Sequence, residues 1–276
     1  MRAFFALFCL LVCSTGYSQY YFNDIVSTQL TNDQYKLLRT QRIKTIRAAS
    51  YEADNTLTQG FSLEENISLD GKKIMLAATT SNGKPSVTNH FYELNKLKRT
   101  QFATRNIDTK TEYTYNDKGQ VQKILFTTVD TLMKTTSTEA HEWNYTAAGQ
   151  PLSMLKIKNH TDTMQIELVK DEQGMIVEEH WKKKGRTLES YYYYYDARKQ
   201  LTDIVRYNGK LKKLIPDFQY EYDAAGRISQ MTQVSMASSN YFIWKYTYND
   251  KGLKQTETGF DKNKQMVGKI EYMYEQ

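Results

Sequence analysis

Apolar and polar residues alternate in short stretches along most of this chain, and turn-forming residues separate the stretches. The clearest unit has two aromatic residues two positions apart, then Asp, then glycine three positions later: Tyr220, Tyr222, Asp223 and Gly226. Side chains two positions apart point to the same face of a β-strand, and Asp followed by glycine is typical of a tight turn. The pattern therefore predicts β-hairpins.

The same unit recurs along the chain, with substitutions at some positions. Further copies lie at 113–119, 143–149 and 246–252, weaker ones at 168–174 and 193–199, and Tyr272 and Tyr274 begin another. The turn glycines predicted from these copies are Gly119, Gly149, Gly174, Gly226 and Gly252. Successive copies are roughly 25 to 30 residues apart, and a repeat in this range indicates one structural unit per copy.

Apolar residues follow each turn at fixed positions. Ile228 and Met231, for example, lie two and five positions after Gly226. A separation of three cannot keep both side chains on one face of a regular strand. We therefore expect a β-bulge or a strong local twist beside each turn.

Tandem hairpins predict an all-β fold, an antiparallel meander over residues 65–276. About eight hairpins give about 14 to 16 strands, and open twisted sheets rarely exceed about ten strands without curling. The sheet therefore either coils strongly or closes on itself, and the sequence leaves both alternatives open.

Residues 19–64 differ from the repeats. Thr31 is a candidate N-cap for a short helix over 32–41, with Tyr35 and Leu38 on one face. We expect this helix and the strands after it to cover the exposed first edge of the sheet, as terminal units of repeat arrays do.

The first 18 residues have the pattern of a secretory signal. Met1 and Arg2 precede a ten-residue apolar run, and small residues stand at positions 16 and 18. We predict cleavage after Ser18 and a secreted, periplasmic or cell-surface protein. Both cysteines, Cys9 and Cys13, lie in this segment. In an alternative interpretation Cys13 is a lipid-attachment site.

The segment from Tyr220 to Ile228, YEYDAAGRI, resembles the YD repeat of RHS-type proteins, which are bacterial surface and secreted proteins. The resemblance covers roughly residues 110–276 and is weaker from about residue 65. One copy has the full signature, while Asn116 and Asn249 replace the Asp in two others. The resemblance implies a hairpin meander and an exported setting, and it implies no specific activity.

Composition adds an unusual aromatic content to this picture. Aromatic residues make up 13% of the 276 residues, and 22 of them are tyrosines. They either form cross-strand ladders that stabilise the sheet, or one face exposes them as a platform on which sugar rings stack. The predicted ligand-binding residues of that face are Tyr193, Tyr195, Tyr222, Trp244, Tyr246 and Tyr248.

Basic residues cluster near predicted turns. The clusters are 182–186, 210–213 and 96–99, and the formal net charge is +6. Such clusters are either solvated turns that block edge-to-edge aggregation or contacts with an anionic surface polymer. We predict no nucleic-acid partner, because the chain has an export signal and no recognised nucleic-acid-binding fold.

Candidate catalytic groups are sparse. The four histidines have no metal-ligand spacing, so no metal site and no cofactor is predicted. Glu64, Glu65 and Asp70 are the carboxylates considered for glycoside hydrolysis, which needs a pair at a set distance across the fold.

The leading hypothesis is a non-catalytic exported repeat scaffold, peripheral to the membrane at most. It is expected to bind cell-envelope carbohydrate or a partner protein through the aromatic face. One alternative is a polysaccharide hydrolase with strand-borne carboxylates. The other is an outer-membrane β-barrel, since Ile270, Tyr272 and Tyr274 alternate with Lys269 and Glu271.

Overall fold

A computed structural model describes residues 19–80, 85–208, 212–234 and 240–276. The predicted signal segment with both cysteines lies outside the described residues. So do the predicted turn residues at 81–84 and the basic residue Lys210.

The described chain begins with a helix and continues as β-strands. A π-helical turn, Tyr21–Val26, continues directly into α1, Ser27–Thr40. Eighteen strands follow: β1 (Thr45–Tyr51), β2 (Ser62–Ile67), β3 (Lys73–Thr79), β4 (Pro85–Glu93), β5 (Lys96–Ala103), β6 (Ile107–Tyr115), β7 (Val121–Asp130), β8 (Thr135–Tyr145), β9 (Pro151–Lys158), β10 (Asp162–Lys170), β11 (Ile176–Lys183), β12 (Arg186–Tyr195), β13 (Leu201–Asn208), β14 (Lys213–Tyr222), β15 (Ile228–Val234), β16 (Tyr241–Tyr248), β17 (Lys254–Phe260) and β18 (Met266–Glu275).

The strands form one antiparallel meander that closes into a barrel. Each strand pairs with the next one in sequence, from β1 with β2 to β17 with β18. The first strand also pairs with the last, with Ala48 opposite Tyr272. Of the two predicted alternatives, the closed sheet is therefore the one that the structure shows.

Closure corrects the predicted position of the N-terminal helix. Strand β1 has β2 on one side and β18 on the other, so it has no free edge for a helix to cover. The helix is also longer than predicted and runs back to Tyr21. Thr31 lies within α1, where its hydroxyl donates to the Ser27 carbonyl oxygen at 2.9 Å, so it is not an N-cap.

The repeat motif forms the turns at one end of the barrel, after the even-numbered strands β2 to β16. We call this end the glycine-turn rim, and the opposite end, with the turns after the odd-numbered strands, the distal rim. In the copy at 220–226, the Arg227 backbone N–H donates to the Asp223 side chain at 2.9 Å. The Gly226 N–H donates to the Asp223 carbonyl oxygen at 3.0 Å. The pairing of β14 with β15 shifts between Glu221 and Tyr222, which confirms the expected bulge.

Glycine is favoured in these turns because of the backbone conformation. The five predicted turn glycines have φ between 76° and 83°, the left-handed region that residues with a Cβ adopt reluctantly. Lys199 takes the same conformation, with φ 62°, in the copy that lacks glycine.

The second aromatic residue of the motif joins paired strands near this rim. The Tyr222 hydroxyl donates to the Leu201 carbonyl oxygen at 2.7 Å, from the end of β14 to the start of β13. The same bond recurs from Tyr115 to Leu97, Tyr145 to Val121, Tyr195 to Ile176, Tyr248 to Ile228 and Tyr274 to Lys254. The tyrosine recurs in the motif because each copy makes the same hydrogen bond to the neighbouring strand.

The N-terminal helix packs against the inner face of the barrel. Tyr20 belongs to a core cluster with side chains from β7 to β16. Tyr35 and Leu38, at the other end of the helix, pack against side chains from β1, β3, β4 and β5. The Tyr35 hydroxyl also bonds the Gly71 carbonyl oxygen in the β2–β3 turn. The helix thus runs from the barrel interior towards the glycine-turn rim.

Candidate functional site

Buried charged residues surround the start of the N-terminal helix. Glu179, on β11, has no exposed surface. Its carboxylate accepts the backbone N–H groups of Tyr20 at 2.9 Å and Tyr21 at 2.8 Å. It also accepts the Tyr193 hydroxyl at 2.7 Å and the Trp181 indole N–H at 2.5 Å. The first N–H groups of a helix lack hydrogen-bond acceptors within the helix. Here the Glu179 carboxylate on β11 is the acceptor, and its negative charge is favourable at a helix N-terminus.

A second buried contact fixes the first helical turns. Asp24 accepts hydrogen bonds from His141 Nδ1 at 2.8 Å and from the Trp143 indole N–H at 2.9 Å. The other ring nitrogen of His141 contacts Glu139 at 3.0 Å. Burial disfavours the charged imidazole, but the two carboxylates outweigh it and raise the pKa of His141 to about 9. His141 is therefore a cation at neutral pH.

Lys156 extends this contact to Tyr20. Its ammonium lies 3.0 Å from Glu139 and donates to the Tyr20 hydroxyl at 2.7 Å. Burial raises the pKa of the Glu139 carboxyl, but His141 and Lys156 outweigh it and hold that pKa at about 2. Glu139 is therefore charged over the physiological range and balances two cations.

The residue before the helix is bound in the same way. Gln19 is 2% exposed, and its side-chain amide donates to Asp217 at 2.7 Å. Arg206 pairs with the other oxygen of Asp217 at 3.0 Å. We call these groups the anchor network: Gln19, Tyr20, Asp24, Glu139, His141, Lys156, Glu179, Arg206 and Asp217.

The anchor network binds the N-terminal segment to the strands of the barrel. A histidine whose pKa is about 9 is already protonated at pH 7, so it cannot accept a proton there. Glu179 accepts four hydrogen bonds from its own protein. The geometry fixes the N-terminal segment inside the barrel.

Five of the six predicted aromatic residues belong to the inner core cluster or pack against it, and they lie on the alternating strands β12, β14 and β16. The sixth, Tyr248, lies at the end of β16 and bonds the Ile228 carbonyl oxygen. Tyr193 is 2% and Trp244 is 9% exposed. Part of this face already packs against the N-terminal segment. Tyr21 meets Tyr193 edge-on at 5.4 Å, and Phe22 stacks on Tyr220 at 5.7 Å between ring centroids.

One cavity at the glycine-turn rim includes two of these aromatics. It has a volume of about 350 Å³ and lies between the turns after β10 and β12. Its lining includes Tyr193, Tyr194, Tyr195, Asp171, Asp196 and Lys199. Tyr194 is 48% exposed, so the cavity offers an accessible aromatic ring beside carboxylates and an ammonium.

The three carboxylates considered for hydrolysis, Glu64, Glu65 and Asp70, do not form one site. Glu64 pairs with Arg47 at 2.9 Å on the outer wall, while the next residue, Glu65, points inward. Burial raises the pKa of Glu65 to about 7. Asp70 lies in the β2–β3 turn, where it accepts the Lys72 backbone N–H at 3.0 Å.

The predicted basic clusters lie at opposite rims. Lys96 is at the glycine-turn rim and donates to the Gly119 carbonyl oxygen at 2.6 Å, so it supports a neighbouring turn. Lys184 and Arg186 are exposed at the distal rim, and so is Lys213.

The anchor network was not predicted from the sequence. Glu139, His141 and Trp143 alternate along β8, so all three point into the barrel. The signal available in the sequence was a charged residue, Glu139, on the same face of β8 as the aromatic residue Trp143. Asp24, which bonds His141, lies 117 positions before it, and no local pattern indicates that contact.

No protein-family model and no curated protein matches the chain. Several solved structures are similar at low identity. A TcdB2–TccC3 crystal structure is 14% identical with a TM-score of 0.37, and the match covers 76% of this chain and 12% of that one. This chain thus spans about an eighth of that protein.

Two porin-like proteins are similar over most of their length. The one from Bacteroides uniformis is 10% identical with a TM-score of 0.43, over 84% of this chain and 96% of that one. The one from Bacteroides vulgatus is 8% identical with a TM-score of 0.27, over 84% and 98%. Likenesses this loose carry no inference about the activity of the present chain.

Proposed function

We propose that this protein is an exported, non-catalytic barrel scaffold of the cell envelope that binds envelope carbohydrate at the glycine-turn rim. The observation that carries the proposal is the anchored N-terminal segment. It occupies much of the aromatic inner wall, and its buried charges pair with one another. The surfaces left for a ligand are then the rims and the outer wall. We also propose that the hairpins are YD-like repeats, because the copies share one turn geometry and one tyrosine bond.

The charged side chains on the outer wall support the proposal that the barrel is surrounded by water. Charged residues alternate with the buried ones and pair across the outside, as Arg47 does with Glu64 and Lys123 with Glu142 at 2.8 Å. Further pairs are Lys182 with Glu167 and Lys269 with Glu271. A membrane-spanning barrel has an apolar outer band instead, where a lysine or arginine at mid-membrane costs about 2–4 kcal/mol.

Among the residues that the structure describes, no helix is both long enough and apolar enough to cross a bilayer. The predicted signal segment at 1–18 supports export and is the basis for the proposed envelope location.

The cavity at the glycine-turn rim supports carbohydrate as the ligand. Its volume of about 350 Å³ fits a small sugar unit. Tyr194 offers an apolar ring with a polar edge, which suits a sugar that has an apolar face and many hydroxyl groups. Asp196 and Lys199 in the same lining supply acceptors and donors for those hydroxyl groups.

Titration with isolated envelope polysaccharides tests this function. We expect saturable binding, read by intrinsic fluorescence, that persists at about 0.5 M salt because stacking is little screened. Replacing Tyr194 with Ala should weaken binding at least about tenfold, which is the loss of about 1.4 kcal/mol of contact. Tyr207→Ala is the matched control, since Tyr207 is 52% exposed and lies outside the cavity.

The outcome separates the candidate ligands. Equal loss in both variants, or binding that disappears with salt, would exclude the cavity as the sugar site. If no polysaccharide binds, the carbohydrate-binding function is refuted.

A further inference from the structure

The distal rim carries an arc of exposed lysines, arginine and large apolar side chains. The arc covers three consecutive hairpin ends, β7–β8, β9–β10 and β11–β12, and the residues at the start of β14. Its exposed cations are Lys134, Lys158, Lys184, Arg186, Lys212 and Lys213. Neighbouring hairpins are two strand spacings apart, about 10 Å, so the arc is about 30 Å long.

Apolar residues stand among these cations. Leu132 is 74% and Met133 is 73% exposed at the β7–β8 end. Leu188 is 55% exposed at the β11–β12 end, and Leu214 is 48% exposed at the start of β14. Exposed apolar side chains grouped on one surface mark interaction sites more often than single ones do.

The acidic residues of the arc are already bound within the protein. Asp130 accepts the backbone N–H groups of Leu132 at 2.9 Å and Met133 at 2.7 Å. Asp162 pairs with Lys183 at 2.6 Å. Both carboxylates are therefore bound to groups of the protein itself, and the Asp130 bonds fix the conformation of the β7–β8 turn that carries Leu132 and Met133. The net charge that faces outward is positive.

We propose that this arc docks the barrel on an anionic lipid surface. Lysine and arginine side chains attract anionic headgroups, and apolar side chains beside them insert at the boundary between headgroups and acyl chains. A soluble acidic polymer would match the cations but would leave Leu132, Met133, Leu188 and Leu214 facing water. The combination of charge with apolar tips therefore favours a membrane surface.

The position of the arc agrees with the proposed function, on which its envelope setting rests. The distal rim is the end opposite the cavity with Tyr194, because the strands between them run from one rim to the other. A barrel that stands on lipid with its distal rim would present the carbohydrate cavity away from the membrane.

Vesicle co-sedimentation of the purified protein tests the proposal. We expect binding to phosphatidylcholine vesicles that contain phosphatidylglycerol, and little binding to pure phosphatidylcholine. The double variant Lys184→Glu, Arg186→Glu should lose at least about tenfold in partitioning, because it reverses two charges near the surface. The matched control is Lys72→Glu with Lys251→Glu, two exposed cations at the glycine-turn rim.

The apolar part has a separate test. Leu132→Ser with Met133→Ser should also reduce partitioning about tenfold, even though no charge changes. All these positions are exposed, so circular dichroism and the thermal midpoint should remain those of the parent protein.

Three results would overturn the docking surface. They are equal binding to both vesicle types, equal loss in the control variant, or binding to a soluble acidic polysaccharide without binding to vesicles. The vesicle assay contains no carbohydrate, and the Lys184→Glu, Arg186→Glu variant should keep the polysaccharide affinity of the parent. Loss of the carbohydrate result alone would therefore refute the proposed function and leave the lipid surface standing.

Discussion

Replacing Asp24 with Asn should strongly destabilise the protein. The carboxylate accepts hydrogen bonds from His141 and from Trp143, and all three side chains are buried. Asn keeps the size but removes the charge, so protonated His141 keeps only Glu139 as its carboxylate partner. Removing one member of a buried ion pair costs about 3–5 kcal/mol, a large share of the about 5–15 kcal/mol that stabilises a typical protein.

The same change should alter the pH dependence of stability. In the parent protein the pKa of His141 rises from 6.5 to about 9 on folding. A raised pKa adds stability that is complete below pH 6.5 and is lost as the pH rises through 9. A difference of about 2.5 pH units corresponds to about 3 kcal/mol. In Asp24→Asn the pKa of His141 falls, so stability should change less between pH 6.5 and 9.

Urea unfolding at several pH values, read by tryptophan fluorescence, measures both effects. The matched control is Asp33→Asn, because Asp33 is exposed on α1 and contacts only Gln29 among the hydrogen bonds of the described residues. We expect its free energy of unfolding to stay within about 0.5 kcal/mol of the parent value. A loss below about 1 kcal/mol in Asp24→Asn, or an unchanged pH dependence, would refute the assigned role of the anchor network.

Two further predictions concern the repeat. Tyr222→Phe removes the hydrogen bond to the Leu201 carbonyl oxygen and keeps the ring. The free energy of unfolding, measured in urea, should fall by about 1 kcal/mol. An unchanged value would show that the bond does not stabilise the fold. Gly226→Ala places a Cβ on a residue with φ 81° and 3.1 Å from Gln200 Nε2, and it should lower the free energy of unfolding by about 1–2 kcal/mol. Gly185→Ala, with φ 76° and no atom within 4 Å of the added Cβ, separates strain from crowding: equal thermal-midpoint shifts in both variants would exclude crowding.

The repeat was predictable because its determinants are local. The turn at Asp223 depends on a side chain and a glycine three positions apart, and both its bonds form within five residues. The bulge follows from the spacing of Ile228 and Met231, which must share the inner face. Each hairpin therefore carries its own signal, whatever the rest of the chain does.

Closure was not predictable because it depends on a sum over all the strands. Ala48 meets Tyr272 only after every intervening pair has added its twist and register shift. One residue of difference in these shifts would change the strand that β1 meets. Neither end of the chain contains a local pattern that specifies the other.

The start of the helix was also not predictable from the local sequence. Thr31 has the residue type of a local N-cap, but the helix begins near Tyr20. Its first N–H groups are bound by Glu179, which is 159 positions from Tyr20. A cap supplied by a distant strand leaves no trace beside the helix.

The buried charges follow from the size of the barrel. A closed sheet of this many strands encloses more space than its own side chains fill, and similar barrels hold water or an inserted segment. Here the helix is the inserted segment, and its first turn would leave backbone N–H groups without partners in that interior. Glu179 binds those groups, and the cations His141 and Lys156 balance the carboxylates Asp24 and Glu139. The inward charges of the anchor network are thus the consequence of burying a helix terminus.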